Sequence, residues 1–165
     1  METLATFASD QEVYSIDESW LDFTGHKDLR ATGHKMISTV QQHTGLATRV
    51  GFGSNKTLCK VASVVAKRVN AANGVCCIDD DHQQRRIILE RFPVGEVWGI
   101  GSKTTVKLNA LGIHSALELA NYDKEALRAQ FGITVERTAR ELNGQKCFNF
   151  HEDVVEQQQI IVSRS

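Results

Sequence analysis

Two adjacent carboxylates, Asp17 and Glu18, stand in the stretch Tyr14-Ser15-Ile16-Asp17-Glu18-Ser19-Trp20-Leu21-Asp22-Phe23. Apolar, aromatic and β-branched residues alternate around them (Val13, Tyr14, Ile16, Trp20, Leu21, Phe23), a pattern that predicts strand. Neighbours on a strand point to opposite faces, so one of the two acids would face the covered side, where an unpaired carboxylate is costly. A bend or hairpin tip resolves the conflict by turning both acids toward one site. A cation held there would offset their repulsion, and hard divalent ions such as Mg2+ favour carboxylate oxygens. An ordinary acidic β-turn accounts for the same residues.

Two further constellations could handle phosphate. After Gly51-Phe52-Gly53-Ser54 the periodicity predicts a helix capped by Ser54 or Asn55 and running to about Val69. At 100° per residue, Leu58, Val61, Ala62, Val65 and Val69 share one side, while Lys56, Lys60, Ser63 and Lys67 share the other. No acid intervenes to form the usual i,i+4 pairs, and the helix N-terminal amides could attract a phosphate. A lysine-rich solvent face is the plainer account of such a stripe. The second constellation is Gly99-Ile100-Gly101 between two predicted helices. Glycines there would let backbone amides approach a DNA phosphate without reading bases, and Lys103 and Lys107, one turn apart, would add charge. A lone Gly-x-Gly is more often a simple turn between helices.

The elements that must position these groups follow in order. Met1 to Ala8 reads as the end of a helix. A strand is expected from about Glu12 to Ile16, a bend at Asp17-Glu18, and a return strand over Trp20 to Phe23. Asp28 caps a predicted helix from about Leu29 to His43, ended by Thr44-Gly45. Leu46 to Gly53 reads as strand, Asn73-Gly74 as turn, and Val75 to Ile78 as strand. Asp79-Asp80-Asp81 invites a metal reading, but acids favour a helix N-terminus and a cap for the helix His82 to Phe92 is the better account. Pro93 starts a short helix through Trp98, Ser102 caps one to Leu111, and three more are expected over Ser115 to Ala120, Lys124 to Phe131 and Val135 to Leu142. From His151 the chain turns polar and extended, and Ile160 to Ser165 reads as a further strand.

The 165 residues suffice for a buried core in one domain or two small ones, and 41% hydrophobic with 24% charged residues is an ordinary globular balance. No apolar run approaches a membrane span, and Met1 to Asp10 does not read as a signal peptide. The four cysteines lack CxxC spacing, which predicts reduced thiols, no zinc site and a cytoplasmic protein. The net charge of −1 hides an uneven distribution: residues 1–28 hold seven acids and one Lys, and residues 29–78 hold seven Lys/Arg and no acid. An acidic site followed by a basic segment suits a metal next to a polyanion.

The motifs also carry a family likeness. Tyr14-Ser15-Ile16-Asp17-Glu18 resembles the Ser-x-Asp-Glu motif of Y-family translesion DNA polymerases, and Val50 to Ser63 and Val97-Trp98-Gly99-Ile100-Gly101 match in the same order. Glu136 to Gly144 and Gln159 to Ser165 are similar to the UmuC-type branch, and the likeness covers nearly the whole chain. It implies an α+β fold: a partial ferredoxin-like palm over residues 1–79, a helix-hairpin-helix thumb over 80–150, and over 151–165 a linker and the start of a little-finger domain. It implies error-prone, DNA-directed DNA synthesis across damage in SOS repair, by two-metal nucleotidyl transfer with Mg2+. Its partners would be a DNA primer-template and dNTP, with processed UmuD and RecA. Asp17 and Glu18 would be catalytic metal ligands. Lys67, then Lys60, would meet the nucleotide triphosphate. Gly99, Ile100, Gly101, Lys103, Lys107 and Lys56 would meet DNA.

The family binds its ions with three carboxylates, and the third belongs to an Asp-x-Asn-x-Phe-Tyr-Ala-Ser motif not found before Asp17. The chain therefore reads as a fragment with little activity of its own, and the absent first strand would leave an edge or gap in the palm sheet. A non-catalytic DNA-binding helix-hairpin-helix module and a truncated polymerase remnant are the competing readings, with a palm-type nucleotide cyclase third.

Overall fold

The computed structural model describes residues 1–152, so the expected strand over 160–165 and the residues 153–165 of the expected linker lie outside the described residues. Packing divides the chain into two compact units: Met1–Thr48 together with residues 148–152, and Arg49–Cys147.

The first unit holds a short helix α1 (Glu2–Ala5), the strands β1 (Gln11–Val13) and β2 (Ser19–Leu21), and the helix α2 (Leu29–Thr44). The strands pair antiparallel, Gln11 with Leu21, Glu12 with Trp20 and Val13 with Ser19. Asp28 caps α2 as expected, its carboxylate accepting from the Ala31 amide at 3.0 Å. Gly45 ends that helix at φ 72°, a conformation that favours glycine. The α2 stripe buries Gly33, Met36 and Val40.

The second unit begins with a β-α-β segment: β3 (Val50–Phe52), α3 (Lys56–Arg68) and β4 (Val75–Cys77), the two strands parallel with Val50 opposite Val75. All three residues of β4 are buried, as befits a parallel strand covered on both faces. Close approach of β3 to α3 is built on glycine. A Cβ at Gly51 would lie 2.3 Å from the Ser63 amide nitrogen and 2.6 Å from the Cys59 carbonyl oxygen. The order of hairpin, helix, strand, helix and strand is the expected α+β palm order, with the strands forming two separate two-stranded sheets.

Five helices follow: α4 (His82–Arg91), α5 (Ser102–Ala110), α6 (Ala116–Asn121), α7 (Lys124–Phe131) and α8 (Ile133–Leu142), with a 3-10 turn Val94–Glu96 after Pro93. The expected start holds for α4 but not for α5: Ser102 is the first helical residue, the cap position falls on Gly101, and no side chain caps that end. Asp81 caps α4, accepting from the Gln83 amide at 2.8 Å, and Asp79 pairs with Arg85 of that helix at 2.7 Å while also accepting from the Ser54 amide at 2.5 Å. Ser115 and Glu118 form a reciprocal capping box on α6. One apolar core runs from Leu58, Val61 and Ala62 of α3 through Leu89, Val97 and Leu108 to Leu127, Ala139 and Leu142. The β-α-β segment thus shares its core with the helices.

Candidate functional site

The hairpin β1–β2 places Asp17 and Glu18 at its tip. Strand β1 stops at Val13, earlier than the alternation predicts, because the amides of Tyr14 and Ser15 both donate to the Glu18 carbonyl, at 3.0 and 3.1 Å. That pair of hydrogen bonds closes a loop over residues 14–18. Asp17 and Glu18 are both exposed, and Ser15 Oγ donates to Asp17 Oδ1 at 2.7 Å. The tip rests on Tyr14, whose ring meets buried Trp20 edge-on at 4.6 Å. Two neighbouring exposed carboxylates are a donor set that fits a Mg2+ ion, which keeps several waters and takes one or two carboxylates. Among the described residues no three His, Cys, Asp or Glu side chains form a metal-holding group.

The lysine stripe of α3 is arranged differently from the helical-wheel expectation. Lys67 is exposed and Lys60 half-buried, but Lys56 is 3% exposed, which corrects its expected place on a solvent face. The reason is the first turn of α3, where Asn55, Thr57 and Leu58 are buried with it. The helix N-terminus is also not an open phosphate site. Asn55 caps it through the Leu58 amide at 2.9 Å, and the wholly buried carboxylate of Glu141 accepts from the Thr57 amide at 2.9 Å and the Thr57 hydroxyl at 2.6 Å. Glu141 supplies the anion that the helix end favours. The other Glu141 oxygen accepts from the Cys147 amide at 3.0 Å, and Asn55 Nδ2 donates to the Glu141 carbonyl at 2.7 Å. Arg68 pairs with Glu96 at 2.7 Å, whereas no carboxylate among the described residues pairs with Lys67.

The third constellation is a turn of the expected kind. Gly99 takes φ 84°, Ile100 is buried and donates its amide to the Val97 carbonyl at 3.0 Å, and Gly101 occupies the cap position of α5. No side chain caps that helix, and a Cβ at Gly101 would meet nothing within 4 Å. Lys103 and Lys107 are exposed on the first two turns behind it.

Sequence reasoning passed over three buried acids, Glu12, Glu136 and Glu141. Glu141 lies beside Leu142 on a helix whose buried face is otherwise apolar or uncharged save Glu136, and an acid on such a face was the available signal. Glu12 is 2% exposed and pairs with buried Trp20 across the hairpin, while Ile16, in period-2 register with it, is 98% exposed, so the alternation gave no signal of its burial.

The fold has close counterparts. An insertion ternary complex of Dbh DNA polymerase superposes with a TM-score of 0.72 at 24% identity, over 90% of this chain and 43% of that one, a likeness of fold. An α+β palm order joined to a helix-hairpin-helix therefore defines a Y-family polymerase type of fold. The family described as impB/mucB/samB matches residues 1–64, and the IMS family HHH motif matches residues 84–113. Protein MucB of Escherichia coli is 40% identical over 163 residues, 97% of this chain and 39% of MucB. Protein UmuC of Salmonella typhimurium is 39% identical over 169 residues, 100% of this chain and 40% of UmuC. The chain belongs to this UmuC-type branch of the Y family and spans about two fifths of the length of those relatives.

Proposed function

We propose that the chain forms the palm and thumb part, over residues 1–79 and 80–150, of an error-prone translesion DNA polymerase acting in SOS repair. The observation that carries the reading is the hairpin tip, where Asp17 and Glu18 stand side by side and exposed within the stretch that the impB/mucB/samB family matches. In this reading the two carboxylates hold Mg2+, which when bound supplies charge stabilisation for phosphoryl transfer. The Ser15 hydroxyl orients Asp17. Lys67, and after it Lys60, meet the phosphates of the incoming dNTP. The amides behind Gly99-Ile100-Gly101, with Lys103 and Lys107, hold a phosphate of the primer-template, a contact that fixes position without reading sequence. Lys56 is left out of the DNA contact because it is buried. The family resemblance adds processed UmuD and RecA as partners and a cytoplasmic location. Among the described residues no helix is long and apolar enough to cross a membrane.

The chain as given pairs two carboxylates where the family uses three, so we propose little or no nucleotide incorporation by it alone. The test is primer-template binding across a salt series, with and without Mg2+, alongside primer extension. Salt-sensitive duplex binding that survives Asp17→Ala and Glu18→Ala, with no extension, supports the reading. Robust extension by this chain would refute the inactivity, and absence of binding at low salt would refute the thumb assignment. A non-catalytic DNA-binding module is the second reading, favoured by the uncapped α5 end; it requires no response to Mg2+ at the hairpin.

A further inference from the structure

We propose that Glu12 is a positioning residue for the Asp17-Glu18 tip, latched by the backbone of residues 148–152. The proposal rests on the reading of that tip as a metal site.

Glu12 is 2% exposed and stands opposite Trp20, itself 7% exposed, in the three-pair ladder. A carboxylate in that place is costly unless a donor meets it. One donor is distant in sequence: the His151 amide donates to Glu12 Oε2 at 2.6 Å. His151 adopts φ 67°, a left-handed conformation that a non-glycine residue takes at a cost. Two residues before Glu12, just ahead of the strand, Asp10 Oδ2 lies 3.2 Å from His151 Nε2. Phe148 is 8% exposed, which seats the start of the same segment.

The consequence is for register. A ladder of three pairs is short, and its outward-facing residues include apolar Val13 at 53% exposure, so apolar patterning specifies it weakly. A slip by one residue would turn Glu12 outward and lose the His151 donor. It would also break the pair of hydrogen bonds from the Tyr14 and Ser15 amides to the Glu18 carbonyl that shapes the tip. The latch therefore fixes which way Asp17 and Glu18 face. A structural carboxylate without this role would hold the 148–152 segment and leave the tip unchanged.

The test is native-state hydrogen exchange on the full chain, with Mn2+ broadening of amide signals at residues 16–18. In the wild type the His151, Tyr14 and Ser15 amides should open together, with one opening free energy. Glu12→Leu should raise exchange at all three by about tenfold or more, leave α3 and α8 unchanged, and weaken the Mn2+ effect, whereas Glu12→Gln, which keeps an acceptor oxygen, should restore most of each. Unequal opening of His151 and the tip amides in the wild type would overturn the proposal, and so would a Glu12→Leu tip that keeps its protection. The wild-type comparison decides even where Glu12→Leu fails to fold. Absence of Mn2+ broadening in the wild type with the exchange pattern intact would instead sink the metal reading and leave the latch standing.

Discussion

At the scale of single residues the most consequential side chain of the larger unit carries no proposed chemistry. Glu141 is wholly buried and spends both oxygens on backbone and hydroxyl donors of α3 and the Cys147 turn. Removing it strands the Thr57 and Cys147 amides away from water, so Glu141→Ala should cost on the order of 3 kcal/mol. A denaturant midpoint measures this, and an unchanged midpoint would mean that water replaces the carboxylate. Cys59 offers a check of the same core. Burial pushes its thiol from 9.0 up to about 12, and the thiol donates to the Gly53 carbonyl at 3.4 Å. Because the folded value is raised, its contribution to stability is whole below the unfolded value and falls as pH climbs from 9.0 toward about 12. Near neutral pH the native chain should resist alkylation at Cys59 and react there once unfolded, as mass spectrometry of the labelled chain would show.

Among the elements, helix caps and turns were the most legible parts of the sequence. Asp28, Asp81 and the glycine turns act through neighbours a few residues away, so short-range chemistry suffices to find them, although Ser102, expected as a cap, enters α5 as its first residue and leaves the cap position to Gly101. The Asp17-Glu18 tip was legible for the same reason. What lay beyond reach depended on partners far along the chain. Glu141 meets α3 at a separation of 84 residues, and Glu12 meets His151 at 139. The helical wheel put Lys56 on a solvent face because the wheel does not know that the first turn of α3 is enclosed. The packing of β3 on α3 gives a sharp prediction. A methyl at Gly51 collides with backbone atoms of Ser63 and Cys59, which cannot swing aside, so Gly51→Ala should cost about 3 kcal/mol or prevent folding of the segment. A thermal melt within a degree or so of the parent would show that the strand shifts freely. The glycine turn before α5 makes a separate claim on DNA. Lys103→Ala and Lys107→Ala should each lower the salt slope of duplex binding by about 1, equally for all sequences. An unchanged slope would remove those lysines from the interface.

For the whole molecule the question is how stability is shared between the two units. Among the described residues, the buried apolar ones of the first are few: Trp20, Met36, Val40 and Phe148. The second holds a continuous core from α3 to α8. Apolar burial stabilises roughly in proportion to area, so the two units should not open at the same free energy. The hairpin that carries Asp17 and Glu18 belongs to the weaker one, while Lys67, Lys103 and Lys107 belong to the stronger. Hydrogen exchange should therefore give lower opening free energies at Tyr14, Ser15 and the α2 amides than at α3 and α8. Mild denaturant should abolish the Mn2+ response of the tip before it abolishes binding of DNA to the helical unit. Loss of both at one denaturant concentration, with equal exchange energies, would mean that the chain melts as a single cooperative body. The weak unit would then owe its order to the strong one, and Asp17 and Glu18 would be held by the same core that holds the lysines.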